Sequence, residues 1–195
     1  MNNHSLNYVV YHMKQQLISL TVALSLCTVV LGQSSREVVR DGSGRVLQTI
    51  ERRDLGNGSV TSTIRDASGR LIGTAVTRPQ SPSSAATQYR DASGRLTGTA
   101  QSRNSSHSQS TQFRDSSGRL TGTAQTQIPS SSHRFQTQFR DASGRLTGQT
   151  STQAGTFGFS SHHRDATGRT TAQSQGTGNK LIPGKPPIPP LTLKK

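Results

Sequence analysis

The block Phe113-Arg114-Asp115-Ser116-Ser117-Gly118-Arg119-Leu120-Thr121-Gly122-Thr123-Ala124 returns nearly unchanged at 64–75, 89–100 and 139–150. Weaker copies stand at 39–50 and 163–174. The aspartate of each copy falls at 41, 66, 91, 115, 141 and 165, so successive steps are 25, 25, 24, 26 and 24 residues. Spacing this regular restricts the chain to a repeat architecture in which each unit buries its surface against its neighbours.

Each copy centres on an aspartate and a glycine three residues on: Asp41 and Gly44, Asp66 and Gly69, Asp91 and Gly94, Asp115 and Gly118, Asp141 and Gly144, Asp165 and Gly168. Aspartate suits the first position of a type I turn because its carboxylate accepts the N–H groups just ahead. Glycine suits the last, where a left-handed backbone is cheap without a Cβ. The flanks are short and rich in Thr, aromatic and branched residues, and Leu-Thr-Gly-Thr-Ala is a poor helix segment. Every copy therefore reads as one β-hairpin with a bulged three-residue loop. If Asp115 and Arg119 close the loop, simple pairing puts Phe113 opposite Thr121, on one face with Thr111, Asp115, Arg119 and Thr123. The other face then carries Gln112, Arg114, Leu120, Gly122 and Ala124, and neither face is cleanly apolar. An isolated hairpin of this kind is marginal in water. The expected fold is all-β, with tandem hairpins of about 25 residues stacked as a solenoid, an open ladder or a flower-like ring.

The order along the chain implies three parts. Residues 1–32 have the layout of a secretory signal, with Met13-Lys14, an apolar run from Leu17 to about Leu31, and Gly32 at the expected cut. Met13 is the expected start. That segment holds the chain's one cysteine, Cys27, so the mature chain is expected to have neither a disulfide framework nor a thiolate metal site. Residues 33–175 carry six hairpin repeats. Arg52-Arg53-Asp54-Leu55-Gly56-Asn57-Gly58 adds a further turn signal, and runs such as 78–84 and 103–108 read as exposed linkers. Residues 176–195 form a Pro-rich basic tail, extended or disordered.

The run Asp-x-x-Gly-Arg-Leu-Thr, at Asp91–Thr97, Asp115–Thr121 and Asp141–Thr147, resembles the core of the YD repeat of Rhs-type bacterial surface and toxin-delivery proteins. In that family the tyrosine directly precedes the aspartate. Here an arginine intervenes, and Tyr89, Phe113 or Phe139 lies one residue earlier. The resemblance covers seven residues per period and implies a bacterial origin and strand-and-turn repeats.

Apolar residues make up 28% of the chain, too few for a large conventional core. The formal net charge is +14, mostly arginine, which invites anionic partners: an acidic glycan, lipopolysaccharide or extracellular DNA. The candidate polyanion-binding residues are Arg65, Arg70, Arg90, Arg95, Arg114, Arg119, Arg140 and Arg145, spread evenly with one on each side of a turn. The plainer reading of each Arg-Asp dipeptide is a surface ion pair, worth little. His107, His133, His162 and His163 lie in linkers or in the last, decayed repeat. The adjacent pair His162-His163 would point to opposite faces of a strand. No serine stands in a nucleophile elbow, and the recurring acids already have a turn role. The chain is therefore expected to be a non-enzyme without cofactor: a secreted or periplasmic bacterial repeat protein, structural or binding, at the cell surface. Its rival is a small Rhs-type effector-associated fragment. Ice binding through Thr121 and Thr123 is disfavoured by neighbouring Arg119.

Overall fold

A computed structural model describes residues 34–129 and 133–177. The expected signal, with Cys27, and nearly all of the Pro-rich tail lie outside these residues. The described chain is all-β. Six hairpins follow one another: β1 (Ser34–Asp41) with β2 (Val46–Asp54), β3 (Val60–Asp66) with β4 (Leu71–Ser81), and β5 (Ser84–Asp91) with β6 (Leu96–Asn104). Then come β7 (Ser108–Asp115) with β8 (Leu120–Gln127), β9 (Arg134–Asp141) with β10 (Leu146–Ala154), and β11 (Gly158–Asp165) with β12 (Thr170–Thr177). Each strand pairs antiparallel with the next, and β1 pairs with β12, from Arg36 opposite Thr177 to Asp41 opposite Ala172. The repeats thus close into a twelve-stranded barrel, not a solenoid or an open ladder. Closure leaves no strand edge to template aggregation.

The expected turn is present. In the fourth repeat the Asp115 N–H donates to the Arg119 carbonyl at 3.0 Å and the Gly118 N–H donates to the Asp115 carbonyl at 3.1 Å. Gly118 takes φ +85°, where a Cβ would be strained. The face assignment is corrected. After Arg114 meets Leu120 the register slips, and Phe113 stands opposite Gly122 instead of Thr121. This second bulge leaves Thr121 as the extra residue, so Phe113 shares the inner face with Gly122, Ala124 and Thr126. Simple alternation through the turn put the aromatic on the wrong side of these small residues. The linkers are corrected too. β4 runs through Pro79 to Ser81 and β5 starts at Ser84, so 78–84 is mainly strand, while of 103–108 the exposed residues 105–107 join β6 to β7. Both stretches hold only the short turns that join one hairpin to the next.

Inner side chains fall into layers. One holds Val39, Ile64, Tyr89, Phe113, Phe139 and His163 on the odd strands, with Ala75, Ala100 and Ala124 beside them, all buried. The next layer is made of hydroxyls bridged between hairpins: Thr77 with Thr87 at 2.9 Å, Ser102 with Thr111 at 2.7 Å, Thr126 with Thr137 at 2.8 Å and Thr152 with Ser161 at 2.8 Å. Round the barrel each hairpin steps by two residues: Phe113 faces Gly122, and Gly122 faces Asp141, two beyond the equivalent Phe139. Larger barrels usually enclose a lumen. Here Thr137 and Thr152 are fully buried, so no water-wide channel runs beside them. The outer wall is polar, with Gln101, Arg103, Gln112, Gln125, Gln138 and Arg140 exposed. Such rows suit water rather than acyl chains. Among the described residues no helix is long and apolar enough to cross a membrane.

A Cβ on Gly122 would stand 2.5 Å from the Arg140 carbonyl oxygen on the neighbouring strand. Gly122→Ala should therefore cost about 1–3 kcal/mol by overpacking, read as a lower urea midpoint, while Ser116→Ala in the exposed turn leaves the midpoint unchanged.

Candidate polyanion-binding rim and polar interior

Because the hairpins follow one another without crossover, all six Asp turns lie on one rim of the barrel and the remaining connections on the other. The eight arginines expected to bind polyanions are gathered on that rim, joined there by Arg40, Arg45, Arg164 and Arg169. Twelve arginines against six aspartates give the rim a formal charge of +6.

Each turn is built from its own residues. Asp115 Oδ1 accepts from the Ser117 N–H at 3.0 Å, the Ser117 hydroxyl at 2.7 Å and the Arg119 N–H at 2.9 Å. The Ser117 hydroxyl first, and the Arg119 N–H next, hold the Asp115 carboxyl below its usual range. In the sixth turn Thr167 replaces the serine and lowers Asp165 in the same way. The arginine before the aspartate turns to its own loop: Arg114 Nη1 donates to the Gly118 carbonyl at 2.9 Å, and Arg40, Arg65, Arg90 and Arg140 do likewise. The Arg-Asp dipeptide is therefore a turn lock, since guanidinium and carboxylate each address the loop backbone. The arginine after the glycine uses its backbone N–H in the lock and leaves its side chain exposed, as at Arg95, Arg119 and Arg145.

The interior holds charges that hairpin reasoning missed. Glu37 and Arg52, 1% and 2% exposed, form an ion pair at 2.7 Å inside the barrel. Aligning the repeats finds them: Arg52 stands where Thr77, Ser102, Thr126 and Thr152 stand, and Glu37 where Thr87, Thr111 and Thr137 stand. Arg52 faces Ser62 across β2 and β3, in the slot of a hydroxyl bridge. Glu37 Oε1, Arg52 Nε and Nη1 and Ser62 Oγ are buried without a protein partner. Breaking a buried pair costs about 3–5 kcal/mol, whereas replacing both members is often neutral or better. Arg52→Thr alone should destabilise by that amount. Adding Glu37→Thr, which rebuilds the neighbouring repeats' layer, should restore the urea midpoint to near the parent's.

His162 is exposed and His163 fully buried, on opposite faces as expected. His163 occupies the aromatic slot, with Nδ1 2.8 Å from the Thr150 hydroxyl. Burial, helped by the charge of His162, lowers its pKa to about 3. Unfolding raises it toward 6.5, so the unfolded chain binds the extra proton and stability falls as pH drops from 6.5 toward 3. The slope approaches about 1.4 kcal/mol per pH unit. His163→Phe, matching Phe113 and Phe139, should flatten the melting temperature between pH 6.5 and 4.5 in a calorimetric series.

Among the described residues no group of three His, Cys, Asp or Glu could hold a metal ion. The chain matches no family model, no curated protein and no solved structure.

Proposed function

We propose that this protein is a non-enzymatic binding module that holds a polyanion on its Asp-turn rim. The observation that carries the reading is the collection of twelve arginines on one end of a closed barrel, where a linear sequence spreads them evenly. The locked turns fix the backbone under each guanidinium, so little ordering is required on binding. The exposed arginines after each glycine are the first contacts. An acidic glycan, lipopolysaccharide or extracellular DNA supplies the matching charge. The apolar run at the N-terminus and the resemblance to bacterial surface repeats support a secreted or periplasmic setting at a bacterial cell surface.

The test is salt-dependent retention on immobilised heparin and on duplex DNA. Replacing Arg95, Arg119 and Arg145 by glutamine should lower the slope of log affinity against log salt by about one per arginine removed. Replacing Arg53, Arg78 and Arg103, toward the other rim, should leave most of the retention. Equal loss from both sets would show attraction to net charge alone and remove the rim from the reading.

A further inference from the structure

The second rim differs in kind. β1 enters and β12 leaves there side by side, with Arg36 opposite Thr177. The two connections flanking this exit are the β2–β3 turn, carrying Leu55, and the β10–β11 turn, carrying Phe157. These are the large hydrophobic side chains that stand exposed among the described residues, 53% and 81% accessible. The Asp-turn loops instead present pairs such as Ala67-Ser68, Ala92-Ser93 and Ser116-Ser117. Exposed Arg53, Arg78 and Arg103 stand toward the same end as Leu55 and Phe157. Of the nearby acids, Glu51 stands opposite Arg36 across β1 and β2, and Asp54 is buried.

We propose that this rim rests on an anionic lipid surface, with Leu55 and Phe157 entering the headgroup layer and the Asp-turn rim directed away from it. Apolar side chains beside cationic ones are what an interfacial contact uses. Arg53, Arg78 and Arg103 supply the charge that anionic headgroups complement. The inference does not depend on the polyanion reading, since it concerns the opposite end of the barrel.

The chain contains no tryptophan, so a single introduced indole reports position without background. Phe157→Trp and Ser116→Trp variants of the full chain are mixed with phosphatidylethanolamine/phosphatidylglycerol vesicles bearing brominated acyl chains. The expected result is a blue shift and loss of most emission for Phe157→Trp, with emission retained for Ser116→Trp. Quenching of both alike, of the Ser116→Trp indole only, or of neither overturns the proposal. Quenching confined to Ser116→Trp would still agree with an anion-binding Asp-turn rim, so the two readings fail separately.

Discussion

The architecture depends on the bulge that follows each Asp turn. Without the extra residue at Thr121, Phe113 would face Thr121 and the small residues would turn outward. With it, Phe113 points inward together with Gly122, Ala124 and Thr126. The same slip recurs at the other turns, between Ile64 and Arg65, Tyr89 and Arg90, and His163 and Arg164. Six hairpins of one handed shape, each stepping two residues past the last, return to their starting strand and close.

Closure explains how so polar a chain holds together. The inner layer of Thr and Ser pairs needs no apolar volume, because in its four bridges each hydroxyl meets another across adjacent strands and is satisfied there. Above it the ring layer sets Tyr89, Phe113 and Phe139 opposite Ala75, Ala100 and Ala124, so the walls approach closely there. Gly122 shows the limit of that approach, where backbone meets backbone. The exceptions are Glu37 with Arg52, which break the hydroxyl layer between β1 and β3, and His163, a neutral ring in the last repeat. All three sit in the outermost hairpins, beside the strands whose pairing completes the barrel.

The two rims divide the surface by chemistry. One carries small polar turns locked by Asp and ringed by Arg. The other carries connections of unlike length, the start of β1, the end of β12 and two exposed hydrophobic side chains. A meander barrel makes this division automatically, because every odd-to-even connection falls at one end and every even-to-odd connection at the other. A charge that recurs once per half-repeat in sequence becomes a ring in space.

The hairpin unit, its type I turn with a left-handed glycine, the number of copies and the opposite facing of His162 and His163 were legible in the sequence. Each depends on residues close together in the chain: a carboxylate two to four residues from its donors, a glycine at one φ, a strand period of two. The inner partners of Phe113 were not legible, because a one-residue bulge reverses a face without altering composition. The linkers misled because Pro, Ser and Asn mark a turn without saying how short it is. The interior place of Glu37 and Arg52 was readable only by aligning copies, not by polarity. Closure, and with it the arginine rim, belongs to the tertiary structure alone: the pairing of Val39 with Ser174 joins residues 135 apart. No local preference encodes that contact. It follows only from six small steps in register adding up to a full turn.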